Sequence, residues 1–215
     1  MTEEIADTLR RQILAGELPP GVPLPQNKLA EQFGISTTPV REALRILRQE
    51  GLIVGDSHQR VVVFRPRLAD LRENYEMRLA LEPLATEVAV PLMAETTFQR
   101  LAGLIDEMRQ VGNQDPIGYP PLNLAFHMSI YEAAERPRLL AVIKDLRSAA
   151  AGYLRIFATA SRDPGATERE HEAIYAAARE RDAERAGELM RDHLKHTLLT
   201  VLDELDRPAT DGTGG

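Results

Sequence analysis
Apolar positions recur at helical spacing along most of this chain. The clearest case runs from Ser36 to Gly51, where Val40, Ala43, Leu44 and Leu47 share one face of a 3.6-residue repeat and Thr38, Arg41, Arg45 and Arg48 share the other. The spacing predicts a helix with a dry side and a cationic side. Thr37 or Thr38 is placed to cap its first N–H groups, and Pro39 is tolerated because a first-turn residue has no intrahelical acceptor to lose. Upstream, Ile5, Leu9 and Ile13 predict a helix over Glu3 to Ala15 that Gly16 closes. Leu18-Pro-Pro-Gly-Val-Pro-Leu-Pro25 then forces an extended run. A short helix follows over Asn27 to Phe33, with Leu29, Ala30 and Phe33 inward, and Gly34 permits the tight turn into the cationic helix.

After Gly51 the period changes. Leu52-Ile-Val54 and Val61-Val-Val-Phe64 flank a polar loop, Gly55 to Arg60, and read as a β-hairpin. Three helices and a hairpin make a winged helix with His58, Gln59 and Arg60 at the wing tip. An amphipathic helix bearing three arginines also describes a solvated surface. The helix-glycine-helix spacing and the hairpin favour DNA, whose major groove such a unit reads with the start of its second helix.

From Leu68 onward every signal is helical. Helices are predicted near Leu68 to Val90, Glu95 to Val111, Leu122 to Ala134, Arg138 to Ala160, Ala166 to Arg179 and Ala183 to Leu205, with breaks at Gly112 to Pro121 and Ser161 to Gly165. Pro83 falls inside the first and removes a hydrogen bond to the Leu79 carbonyl, which predicts a bend. The expected architecture is mainly α, with a winged helix-turn-helix over residues 1–66, an all-helical bundle of about six helices over 67–206, and a disordered polar tail over 207–215.

Net charge is −7, which argues against a protein that coats nucleic acid by bulk attraction. Its distribution refines this. Met1 to Pro66 carries eight Lys/Arg against eight Asp/Glu, so the remainder holds the whole acidic excess. Within Leu24 to Arg65 the count is six basic to four acidic, and a weakly basic module joined to an acidic one suits a protein of which only the first part meets phosphate. No apolar run of about 18 residues predicts a membrane span. The absence of cysteine removes disulfides and thiolate metal sites, and with an acidic start at Glu3 and Glu4 it leads to a cytoplasmic expectation.

Asn123 and His127 lie four apart on one helix, His171 and His193 on two others. Three imidazoles and an oxygen donor drawn from three helices suit a divalent Zn, Ni, Mn or Fe ion. Spacing alone equally describes surface or satisfied core histidines. His196 is read as solvated.

Together the motifs Gly16-Glu-Leu-Pro-Pro-Gly21, Leu29-Ala-Glu-Gln-Phe-Gly-Ile-Ser36, Thr38-Pro-Val-Arg-Glu-Ala-Leu44, Gly51-Leu-Ile-Val54, Tyr75-Glu-Met-Arg-Leu-Ala-Leu-Glu82 and Phe126-His127, with the two later histidine motifs, resemble the GntR-type bacterial transcription regulators whose second domain is the helical FCD type. The resemblance runs from about residue 2 to 206. It implies a regulator, not an enzyme, that binds a pseudo-palindromic double-stranded operator as a homodimer. It puts DNA contacts at Asn27, Thr37, Thr38 and Arg41 and at the wing loop His58 to Arg60; Arg45, one turn beyond Arg41, is read as a phosphate contact. Many relatives carry arginine where this chain has Thr37 and glycine where it has Arg60. For the metal-binding branch it implies ligands at Asn123, His127, His171 and His193, and it turns Arg78 toward an effector. With asparagine at the first of these positions no protein ligand is anionic, so a carboxylate from a small organic acid would balance the ion. The bland alternative for Arg78 is a surface pair with Glu82. Two rivals are a metal-dependent enzyme with a DNA-binding appendage and a metal-free regulator of a larger apolar ligand.

Overall fold
The computed structural model describes residues 1–55, 60–112, 118–160, 163 and 165–206. The head opens with α1 (Thr2–Leu14), α2 (Gln26–Phe33) and α3 (Thr37–Gln49), followed by the short strands β1 (Ile53–Val54) and β2 (Val62–Val63). The dry face expected of α3 is dry: Val40, Ala43, Leu44 and Leu47 are buried against Ile5, Leu9, Leu29, Leu52 and Ile53. At about 1.5–3 kcal/mol for each large apolar side chain removed from water, this cluster holds the three helices together. Gly34 ends α2 in the left-handed region at φ 67°, which a β-carbon would disfavour, and lets the chain turn straight into α3. The α3 start differs in detail from expectation. Ser36 is the N-cap, with no side-chain capping bond, and Thr37 and Thr38 lie in the first turn.

The hairpin pairs Ile53 with Val63 and Val54 with Val62. It gains an unforeseen third element from the proline run. Gly21 N donates to Val63 O and Leu24 N to Val61 O, each at 2.9 Å, and Val63 N donates back to Val22 O at 2.9 Å. Prolines fit an edge of this kind because their missing donors fall where no ladder bond is needed. Arg10 of α1 grips the end of α3 through two bonds to the Glu50 carboxylate, at 2.8 and 2.5 Å.

The body comprises α4 (Leu68–Ala89), a 3₁₀ turn at Val90–Leu92, α5 (Glu95–Val111), α6 (Tyr119–Glu132), α7 (Pro137–Ala160), α8 (Ala166–Arg179) and α9 (Ala183–Leu205). Helix α4 packs along α9, α7 and α6, while α8 closes the bundle against α9 and α5. Its core is built on Leu71, Tyr75, Phe98, Leu101, Phe126, Ile130, Ile143, Ile174 and Met190. Helix α6 starts three residues before the expected Leu122. Pro120 and Pro121 are first-turn residues, where a missing N–H costs nothing, so the prolines begin the helix they were expected to precede.

Helix α7 also reaches the head. A β-carbon on Gly51, whose φ is +69°, would run into the backbone of Ala151, and one on Gly152 would lie 2.5 Å from the Phe64 ring. Phe64 meets Tyr153 edge to face at 4.9 Å, and the Tyr153 hydroxyl donates to Arg67 O at 2.9 Å while accepting from Arg67 N at 3.1 Å.

Candidate metal centre and nucleic-acid interface
Burial of one side of α3 puts its other side in water. Thr37, Thr38, Arg41 and Arg45 are exposed on α3, Asn27 on the first turn of α2, and Arg60 beside the hairpin. The wing-tip positions His58 and Gln59 lie outside the described residues. Between α3 and the hairpin opens a recess of about 340 Å³ lined by Gln26, Arg41, Glu42, Arg45, Arg48 and Gly55, among others. Arg45 Nε bonds Glu42 Oε2 at 2.9 Å, with both side chains about half exposed. Arg48, half-buried, turns instead to the hairpin and donates to Gly55 O at 3.4 Å.

In the body the sequence-predicted histidines converge. A ligand atom from each of His127, His171 and His193 lies within 4.8 Å of the other two, and all three rings are buried. Their centroids are 4.8 to 5.4 Å apart. Neutral imidazoles supply three nitrogen donors, the set that borderline divalent metals favour. The polar chain around His127 fixes which nitrogen is free. The Tyr131 hydroxyl donates its O–H to the Glu82 carboxylate, so its oxygen accepts from His127 Nδ1 at 3.2 Å. Nε2 of His127 then carries the lone pair, and it is buried with no hydrogen-bond partner. On the opposite side His193 Nδ1 meets Glu170 Oε2 at 2.8 Å, the carboxylate-imidazole arrangement that orients a ligating ring. His196, read from sequence as solvated, is partly covered and bonds the other Glu170 oxygen at 2.6 Å.

Burial, then the charge of Arg147 and of the neighbouring rings, holds His127 well below the ordinary 6.5. Burial, His193 and Arg147 do the same to His171. Both rings are therefore neutral at physiological pH and need lose no proton to bind an ion.

Arg78 does pair with Glu82, its Nε 2.6 Å from Oε1, but the pair is buried and not on the surface. Arg147 of α7 donates to the other Glu82 oxygen at 2.6 Å and to Asn123 Oδ1 at 3.2 Å. Burial would raise the Glu82 pKa, yet the two guanidiniums outweigh it and hold the carboxyl at about 2. One carboxylate between two guanidiniums leaves a net positive charge beside the imidazoles. Arg78 Nη1 and Arg147 Nε are buried donors without an acceptor among the described residues. Asn123 is brought to the cluster, its Nδ2 3.3 Å from His171 Nε2.

Sequence reasoning missed Arg147, Tyr131 and Glu170. Tyr131 follows His127 by one helical turn and could have been found that way. Arg147 shares a stripe with the apolar Ile143 and Ala150, both buried, and a charge inside such a stripe is the signal that was available.

Comparison with known proteins agrees with this architecture. Residues 1–63 match the model of the bacterial regulatory proteins of the gntR family, and residues 73–196 match the FCD domain. An uncharacterized HTH-type transcriptional regulator in an unstable DNA locus of Streptomyces ambofaciens is 30% identical over 213 residues, covering 93% of this chain and 82% of that protein. The transcriptional regulator McbR of Escherichia coli is 31% identical over 150 residues, 68% of this chain and 66% of its own. Its solved structure shares the fold, with a TM-score of 0.69 at 24% identity over 95% of this chain and 98% of that one. The gluconate operon transcriptional repressor of Bacillus subtilis is 28% identical over 144 residues, 66% of this chain and 59% of its own. These relatives are transcription regulators, which removes the enzyme reading. No helix among the described residues is long and apolar enough to cross a membrane. The chain belongs to the gntR family of bacterial regulatory proteins, as a DNA-binding transcription regulator with an FCD domain behind its helix-turn-helix head.

Proposed function
We propose that this regulator binds a pseudo-palindromic operator as a homodimer and is gated from its helical body, where a divalent metal and a small organic acid bind together. The observation that carries the reading is the convergence of His127, His171 and His193 in the core. Three buried imidazoles, two of them held neutral, and an orphaned Nε2 on His127 fit a resident ion. His127, His171 and His193 would hold it, with Asn123 beside them; the donor set admits Zn, Ni, Mn or Fe. Such an ion would supply positive charge and open positions for an anionic ligand.

The acid is supported by charge. Arg78 and Arg147 keep unmatched donors next to a centre with no anionic ligand of its own, and one relative regulates a gluconate operon. The same polar surroundings disfavour a large apolar effector. Gating is supported by α7, which carries Arg147 at the centre and Gly152 and Tyr153 at the head. A ligand that binds one arrangement of this joint better than the other shifts the placement of the reading heads. A second copy is supported by Met77 and Leu84 on α4 and Val142 on α7, large apolar side chains left exposed on neighbouring helices. Two heads on such a dimer would read half-sites roughly 34 Å apart.

Exposed Arg41 would read bases, with Thr37, Thr38 and Asn27 around it, and Arg45 and Arg60 would meet phosphate or wing-side groove. The test is operator affinity by fluorescence anisotropy at fixed salt, with zinc and a panel of small carboxylates. Metal and acid together should change affinity by at least about fivefold. An affinity indifferent to every combination would overturn the gating.

A further inference from the structure
Asn123 stands at the histidine cluster with its amide turned away from the role of an oxygen ligand. An asparagine amide has an accepting end and a donating end, and a neighbour able to play only one role decides between them. Arg147 is such a neighbour. A guanidinium only donates, so the atom 3.2 Å from its Nη2 is the Asn123 oxygen. Arg147 is itself anchored by Glu82 Oε2 at 2.6 Å and only 4% exposed. It cannot swing off Asn123 without abandoning a buried carboxylate. The nitrogen end of the amide then faces the cluster, 3.3 Å from His171 Nε2.

We propose that Asn123 is a hydrogen-bond donor aimed into a three-histidine centre and not a metal ligand, and that Arg147 is the positioning residue that keeps its amide in that orientation. The inference rests on reading His127, His171 and His193 as a metal site. Without an ion, the lone pair of His171 Nε2 accepts the Asn123 N–H. An ion held by His171 Nε2 would occupy that lone pair and would leave the Asn123 N–H for an oxygen of an incoming ligand. A carboxylate fits this corner on two counts. It brings the negative charge that a set of imidazole ligands lacks, and it has a second oxygen to accept from Asn123. A neutral amine brings neither.

The experiment uses the full chain stripped of metal with a chelator. Zinc binding is measured by calorimetry for the wild type and for His127→Ala, Asn123→Ala and Arg147→Met, and acetate is titrated into each cobalt(II) form while the visible spectrum is followed. His127→Ala should lose zinc uptake. Asn123→Ala should stay within about tenfold of wild-type zinc affinity, the low end of what a residue behind the ligands costs, while acetate weakens at least about tenfold. Arg147→Met should tighten zinc both by removing a positive charge and by freeing the amide to turn its oxygen inward, so the tightening should be larger with Asn123 present than beside Asn123→Ala, and acetate should weaken; equal tightening in both backgrounds would show that Arg147 does not position the amide. If Asn123→Ala binds zinc no better than His127→Ala, or keeps wild-type acetate affinity, the inference is overturned while the metal reading stands. If the wild type takes up no zinc or cobalt, the metal reading falls and the inference with it.

Discussion
Head and body treat charge in opposite ways. In the head Asn27, Thr37, Thr38, Arg41, Arg45 and Arg60 all face water, and the core beneath them is apolar. In the body Arg78, Glu82, Asn123, His127, Arg147, His171 and His193 lie inside the apolar core, each less than 9% exposed. A surface that meets a polyanion works while hydrated and needs only a rigid support. A site that meets a small ligand gains from being dry, and its charges must then be matched internally or left waiting for the ligand. Stability and recognition are therefore separable in the head and entangled in the body.

The most severe test of that contrast is Glu82→Gln. It leaves Arg78 and Arg147 buried without their shared countercharge and should cost about 3–5 kcal/mol. Chemical denaturation should show the loss in the body's transition, with wild-type operator binding by the head wherever the protein remains folded. A cost within about 0.5 kcal/mol, typical of surface changes, would mean that the carboxylate is not the keystone drawn here.

Acid should act next most strongly, and again on the body. His127 and His171 are neutral when folded, with pKa values held below 6.5 by burial first and by nearby positive charge second. Below pH 6.5 the unfolded chain takes up protons that the folded one refuses, so stability falls as pH drops. The slope for two such rings approaches about 2.7 kcal/mol per pH unit. Glu82 works in a lower window. Its pKa is depressed to about 2, so its contribution is complete above its ordinary 4.5 and is lost between there and 2. Urea unfolding of the metal-free protein at pH 7.5, 6.5 and 5.5 checks the first window; a flat profile would show that the rings titrate normally.

Arg41→Ala is the counterpart in the head. It should cost about 1–3 kcal/mol of operator affinity at fixed salt, concentrated at one base position. Because Arg41 is exposed, the unfolding midpoint should not move. A variant that unfolds earlier while binding DNA normally would reverse the assignment of roles.

The same contrast explains what could be read from the amino acids. Period alone placed the dry face of α3, because Val40, Ala43, Leu44 and Leu47 sit on an apolar core and the polar face meets water. In α4 the buried stripe runs Leu71, Tyr75, Arg78, Glu82, Ala85, Ala89, so charge interrupts the pattern that reports burial. That interruption is what left a surface pair with Glu82 open as the alternative for Arg78, whereas both side chains are buried. The histidines were legible as a set only through the family resemblance, since nothing local says that α6, α8 and α9 bring them within 4.8 Å. Arg147 had no partner nearby in sequence; its contacts with Glu82 and Asn123 span 65 and 24 residues. The proline run was read as extended, but its pairing went unread for another reason. Its pairing with β2 uses backbone groups of Gly21, Val22 and Leu24, which no side-chain pattern announces.

Arg45 gives the smallest expected effect and the finest division within the head. Its guanidinium lies on the exposed side of α3, four residues beyond Arg41 and tied to Glu42 at 2.9 Å. Both side chains are about half exposed, so the pair is solvated and easily exchanged for phosphate. A phosphate contact carries no sequence information. Arg45→Ala should therefore weaken operator and random DNA alike and reduce the slope of log affinity against log salt by about 1. Arg41→Ala, by contrast, should lose operator affinity preferentially. If Arg45→Ala instead changed which base is preferred while the salt slope stayed fixed, Arg45 would be a second base reader. The reading face of α3 would then extend a full turn further from its N-terminus than the contacts assigned here.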